Sequence, residues 1–230
     1  MDIQLEEISK ISYKVVRTSR KKTVAIKIQN GKVTILSPKR LSRNRIEAVV
    51  LKRSSWILRK LKEAELAPVL KTRSYISGEK FSYLGKKYSL KVITGCPPKV
   101  SLVGDCLEIS CQKQEEIRSS LTLWYKARAH DFLTLETEKH ATQMSLLPES
   151  VVIKEYKSRW GSCSSKGCIA YDWRIIMAPY DVVNYLVVHE LCHLRYLNHS
   201  TAYWELLKKQ LPGYKSSRTW LKTYGYQLVL

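Results

Sequence analysis

The sequence predicts an α+β fold: a basic, β-rich N-terminal scaffold with one helix over residues 1–112, then a compact C-terminal domain over 113–230 made of a small sheet and a histidine-bearing helix. Three observations carry this reading. Short runs that alternate apolar and polar residues, separated by Gly-containing turns, recur up to Cys111. From about Glu115 to Met144 the spacing becomes helical, and from Asp181 to Leu211 no Gly or Pro interrupts the chain.

In chain order, Ile11 to Val16 reads as a strand leading into the basic cluster Arg17 to Lys22, and Thr23 to Ile28 alternates at period two. Asn30-Gly31 is a hairpin turn signal, and Lys32 to Leu36 returns, so residues 11–37 are expected as a hairpin or meander. Pro38 stops it. Ser42 is placed to cap a helix from Arg43 to Leu66, with Ile46, Val49, Val50, Ile57 and Leu61 on one face and Trp56 packed in the core. Strands follow at Lys80 to Leu84, Tyr88 to Ile93, Val100 to Val103 and Cys106 to Ser110, bounded by Gly78, Gly85 and Gly104. The helix from Glu115 carries Ile117, Leu121, Trp124, Phe132 and Leu133 on its apolar face; its isolated His130 and His140 are read as structural or surface residues. Val151 to Lys154 reads as a strand, and Ser158 to Ser164 with Cys168 to Arg174 as a hairpin turning at Lys166-Gly167. Pro179 and Asp181 introduce the next helix, with Asp181 as its N-cap, and Ser200-Thr201 cap a further helix that ends at Pro212-Gly213.

Composition bounds the function. The 230 residues carry a formal net charge of +20. In residues 1–62 there are 17 Lys and Arg against 4 Asp and Glu, a net +13. Such a field favours anionic partners, nucleic acid or nucleotides among them, bound through the basic N-terminal half. No apolar run reaches a membrane span, and the acidic start Met1 to Glu7 is unlike a signal peptide, so a cytoplasmic protein without a membrane partner is expected. The six cysteines, Cys96, Cys106, Cys111, Cys163, Cys168 and Cys192, form no close pair and suggest no disulfide framework. Cys163 and Cys168 read as hairpin ends and Cys192 as a small buried filler.

The chemistry lies at residues 189–199. On a helix, His189 and His193 at i and i+4 present two imidazoles to one point. Glu190 sits where its carboxylate reaches a metal-held water without ligating the metal, and His199 is the third ligand if the helix ends near Leu197-Asn198 and the chain turns back. Three neutral imidazoles that leave one position open are the donor set of a catalytic zinc site, with one Zn2+ expected. Glu190 is then the general base for peptide hydrolysis. Arg159, Tyr203 and Tyr214 are oxyanion-donor candidates; with Trp160 they are the expected substrate-binding residues. Glu205 is a candidate to orient a ligand histidine. The hairpin at residues 158–174 offers an edge on which an extended peptide can pair.

Taken together, Ser158-Arg159-Trp160-Gly161-Ser162-Cys163, Gly167-Cys168-Ile169, the His-Glu-Leu-Cys-His-Leu helix with His199, Tyr203-Trp204 and Pro212 before Trp220-Leu221 resemble the YgjP-like metallopeptidases, relatives of the SprT-like and WLM zinc proteases. The basic cluster, the hairpin from Val24 to Ile35, and Gly85 to Tyr88 are similar to that family's leader domain, so the resemblance runs from about Tyr13 to Tyr224. It implies a zincin-like C-terminal domain with zinc at His189, His193 and His199 and Glu190 as base. The family's usual Asn stands here as Asp172, and Tyr196 occupies the position where metzincins carry Gly. Two other readings use the same charge: a metal-dependent nucleotide phosphohydrolase, and a nucleic-acid-associated protease or binding protein. Protein or peptide is the expected substrate of the main reading.

Overall fold

The computed structural model describes residues 11–29, 31–65, 73–95 and 97–230; Asn30, Leu66, Cys96 and the segment Met1 to Glu7 invoked above lie outside them. The chain divides into two units, Met1–Lys71 and Thr72–Leu230.

The first unit holds β1 (Tyr13–Thr18), β2 (Ala25–Gln29), β3 (Lys32–Pro38), α1 (Arg43–Lys52) and α2 (Ser54–Glu65). β2 and β3 pair antiparallel as expected, with Gly31 at φ +70° in the turn. β1 does not continue a meander. It runs parallel to β3, from Tyr13 opposite Val33 to Thr18 opposite Pro38, giving the order β1-β3-β2. The single helix expected from Arg43 is two: at Arg53 the backbone leaves helical values (φ −115°, ψ 9°) and its N–H bonds back to Val50 at 3.1 Å. Ser42 takes the N-cap position, but its side chain makes no capping bond. Ile35, Ile46, Val50 and Ile57 form the buried core, with Trp56 half-buried against it. Arg17, one of the basic cluster, is structural: its guanidinium donates to the Pro38 carbonyl at 3.0 Å and the Leu41 carbonyl at 2.6 Å.

The second unit begins with a four-stranded sheet, β4 (Lys80–Tyr83), β5 (Lys86–Thr94), β6 (Lys99–Val103) and β7 (Cys106–Cys111), in the order β4-β5-β7-β6. α3 (Glu115–Met144) follows over the predicted residues. Its buried ladder, Ile117, Leu121, Tyr125, Ala129 and Leu133, recurs every four residues and serves two cores in succession. Ile117 and Leu121 pack with Phe81, Leu90, Leu107 and Ile109 of the four-stranded sheet. Tyr125 onwards joins the second core with Tyr171, Trp173 and the histidine-bearing helix. That shared helix is why the four-stranded sheet groups with residues 113–230 and the units divide near residue 71, where the sequence suggested 112. Leu84 seals the join by donating its N–H to the Ile176 carbonyl at 2.8 Å.

β8 (Ser150–Lys154), β9 (Gly161–Cys163) and β10 (Cys168–Asp172) form a three-stranded sheet ordered β8-β10-β9, so the expected hairpin is β9-β10 and β9 is an edge. A 3-10 turn (Trp173–Met177) leads to α4 (Tyr180–Cys192), then α5 (Thr201–Gln210) and α6 (Tyr214–Tyr224). α4 is buried on nearly all sides, Cys192 included, as a central helix must be. Its N-cap is Pro179, and Asp181 sits in the first turn instead, still favourably placed for the helix dipole. Ser200 does cap α5, accepting from the Tyr203 N–H at 3.4 Å. The five cysteines among the described residues are free thiols. Among the described residues no helix is long and apolar enough to cross a membrane.

Candidate metal centre

His189 lies in the last turn of α4 and His193 is its C-cap, so the helical i,i+4 spacing sets both rings on one side. The helix stops at Cys192, about a turn earlier than Leu197-Asn198. Leu194 and Arg195 bond back three residues, to Leu191 and Cys192, at 3.0 and 3.2 Å, which tightens the end. The Tyr196 carbonyl then faces Nδ1 of His193 at 3.0 Å, a partner it would not meet in a continuing helix. The chain bends at Leu197-Asn198 and returns His199 to the first two histidines.

The three rings converge, with centroids 5.1 Å (His189–His193), 5.1 Å (His189–His199) and 4.7 Å (His193–His199) apart. One ligand atom from each lies within 4.8 Å of the others, and Nε2 of His189 and His199 are 3.3 Å apart. The outer nitrogens are engaged. A carbonyl only accepts, so the Tyr196 contact makes Nδ1 of His193 the protonated nitrogen and leaves its Nε2 bare. Tyr203 does the same for His189: its hydroxyl donates to the His189 carbonyl at 3.0 Å, which leaves its oxygen to accept from Nδ1 at 2.6 Å. This donor set, three converging imidazoles of which His189 and His193 have anchored outer nitrogens and bare inner ones, fits a divalent metal of the zinc type. Burial first, then the neighbouring histidines and Arg218, pushes His189 down to about 3; burial and the same kinds of neighbours lower His199. His189 is therefore held as a neutral ring, the form that ligates a metal.

A chain with this site and fold has a family. The model of the YgjP-like, metallopeptidase domain matches residues 22–224. The chain belongs to the YgjP-like metallopeptidases. Among solved structures it is similar to the metallopeptidase zymogen abylysin of Pyrococcus abyssi, at 24% identity over 39% of this chain and 93% of that one, with a TM-score of 0.36. No curated protein matches the chain. The YgjP-like match spans both units, taking in β2 and β3 of the basic sheet as well as the histidine cluster.

In this YgjP-like chain Glu190 is buried, 3% exposed, and burial pushes its carboxyl up to about 8 against the opposing pull of Arg159. β9 runs directly over it. A Cβ placed on Gly161 would lie 2.8 Å from Cδ of Glu190 and 2.9 Å from Cγ, and would collide with Oε1. Any larger residue there would have to displace the Glu190 carboxylate or the strand, a constraint visible in the sequence only as a Gly inside a strand pattern.

The other expected residues take varied places. Tyr203 is fully buried on His189. Tyr214 is buried and stacked between Trp204 and Tyr185, at 5.8 and 6.4 Å. Arg159 is exposed with its guanidinium 5.7 Å over Tyr156, and the half-buried Trp160 abuts Gly225. Glu205 is exposed on α5; Tyr203 and the Tyr196 carbonyl perform the orienting role it was considered for. Asp172 is 0% exposed, ion-paired to Arg174 at 2.6 Å, and accepts the Tyr156 N–H at 2.7 Å. It ties the strand before the active edge to the 3-10 turn before α4. Arg218, which no sequence signal marked, lies 4.5 Å over the Trp204 ring.

Proposed function

We propose that this chain hydrolyses peptide bonds at the histidine cluster, with one zinc ion held by His189, His193 and His199 and Glu190 as general base. The convergence of three imidazoles, two of them (His189 and His193) with engaged outer nitrogens, beside a buried glutamate carries this reading. A zinc ion there supplies Lewis acidity toward a water and a substrate carbonyl. Glu190 accepts the proton from the attacking water and passes it to the departing amine; its burial shields that transfer from bulk solvent. Tyr203, committed to His189, acts as a positioning residue and not as an oxyanion donor. Being an edge strand, β9 offers main-chain groups to an extended peptide, and Gly161 lets that strand approach Glu190. The test is metal analysis with peptide digestion. One zinc per chain is expected, lost in His199→Ala; Glu190→Gln should keep the metal and lose cleavage. A parent chain without metal, or a cleaving Glu190→Gln, overturns the assignment. The family match favours peptide over phosphoanhydride; phosphate release from a nucleoside triphosphate that depends on Glu190 would reverse that preference.

One observation supports a second role, nucleic-acid binding through the first unit. A cleft of about 310 Å3 opens where β1 and β3 end, lined by Ser19, Arg20, Lys21, Lys39 and Arg40, with no acidic residue in it. Steep weakening of duplex DNA binding with salt, surviving His189→Ala, is the expected signature.

A further inference from the structure

Two exposed guanidiniums, each seated on an aromatic ring, connect through neighbouring side chains to the candidate metal centre. Arg218 of α6 lies 4.5 Å over Trp204. Trp204 in turn stacks on His199 at 5.3 Å and 25°. Tyr214, one turn before Arg218, stacks on the same indole at 5.8 Å, so the i,i+4 pair rides on a ring that touches a metal ligand. By a second chain of contacts, Arg159 lies 5.7 Å over Tyr156, whose hydroxyl is tied to Ser162 Oγ of β9 at 2.8 Å. Two residues further on, Gly161 meets Glu190. Among the described residues neither arginine is in an ion pair.

Beside Arg159 lies a cavity of about 300 Å3, walled by Lys157, Arg159, Trp160, Arg174 and Tyr226. Arg174 is neutralised by Asp172, which leaves Lys157 and Arg159 as its uncompensated charges. A Cβ at Gly225 would sit 3.1 Å from Trp160 Cζ2, so that wall is flush. A cavity of this size, at the small end of ligand pockets, admits one side chain, and an aromatic wall with two cations suits a carboxylate.

We propose that the peptides taken by this centre carry two acidic side chains near the bond attacked, one carboxylate held by Lys157 and Arg159 in the cavity and the other by Arg218. The inference rests on the peptidase reading and names its substrate class. Seating each guanidinium on a ring restricts its rotamers before substrate arrives, so less freedom is lost when it grips a carboxylate.

The test uses the zinc-loaded, full-length Glu190→Gln chain and labelled peptides of one length, with Glu, Gln or Lys flanking a central dipeptide, followed by fluorescence anisotropy. The Glu peptide should bind at least about tenfold more tightly than the Gln peptide, as charge-assisted bonds imply. Adding Arg159→Glu with Arg218→Glu should reverse the order in favour of Lys. Lys99→Glu with Lys113→Glu, the same change in charge on exposed residues of the four-stranded sheet and its exit, should leave the order intact. Should the reversed variant fail to fold, Arg159→Gln and Arg218→Gln singly should each cost the Glu peptide about tenfold. Equal binding of all three peptides, or a reversal in the Lys99/Lys113 control, overturns the proposal. Digestion of the same peptides by the active chain separates the two claims: preferential binding without cleavage removes the peptidase reading alone, and cleavage without preference removes this one alone.

Discussion

The Tyr203 hydroxyl lies 2.6 Å from Nδ1 of His189 and 3.0 Å from the same residue's carbonyl oxygen. One phenol from α5 thereby fixes both the ring orientation and the tautomer of His189, the first proposed ligand, in α4. Tyr203→Phe keeps the buried ring and removes only this pair of bonds. Zinc affinity measured by chelator competition should fall about 10- to 100-fold, with thermal stability lowered by roughly 1–2 kcal/mol. Unchanged affinity in a folded variant would show that His189 is held by other means.

Gly161 and Glu190 are in contact with no room between them, since an added Cβ would stand 2.8 Å from the glutamate Cδ. In Gly161→Ala either β9 or the carboxylate must move. The expected result is a zinc-replete protein, destabilised by about 1–3 kcal/mol, whose peptide turnover drops on the order of 100-fold. Metal content by atomic absorption, unfolding by heat and turnover on one peptide separate these effects; wild-type turnover would mean that Glu190 need not hold this position.

In the metal-free protein two buried groups set opposite limits on stability. His189 is pushed from 6.5 to about 3, so the unfolded chain takes up a proton that the folded one refuses, and stability falls as pH drops through that window. Glu190 is pushed from 4.5 to about 8, so the folded chain keeps a proton that the unfolded one sheds, and stability falls as pH rises through that window. Between about 4.5 and 6.5 the two slopes cancel. The apo protein should therefore melt highest on that plateau and lower on either side, and Glu190→Gln should flatten the limb from 6.5 to 8. Calorimetry across pH decides it; an apo Tm that climbs steadily between pH 6 and 8 rules the assignment out.

Much of this was legible before any coordinates. The 30-residue helix Glu115–Met144, the β2-β3 and β9-β10 hairpins and the Ser200 cap all follow from local periodicity and turn chemistry. The errors share a cause. β1 pairs in parallel with β3, α3 belongs to two cores at once, and α4 ends at Cys192; each is set by groups distant in sequence or by a hydrogen bond available only after folding. Helix α6, with Arg218 on it, starts at Gly213 without a capping side chain, and its stripe of Tyr214, Trp220, Leu221 and Tyr224 was legible at helical spacing but not read as a helix.

The sequence alone pointed to the proposed ligands and base, because helical geometry forces His189 and His193 onto one face and leaves Glu190 beside them. It also determined where charge accumulates. Only the tertiary structure decided what steadies those ligands: a phenol and a backbone carbonyl where a carboxylate was the natural guess. The same is true of Gly161 on Glu190 and of the two ring-seated arginines, since close approach depends on how buried elements pack and not on spacing along one of them.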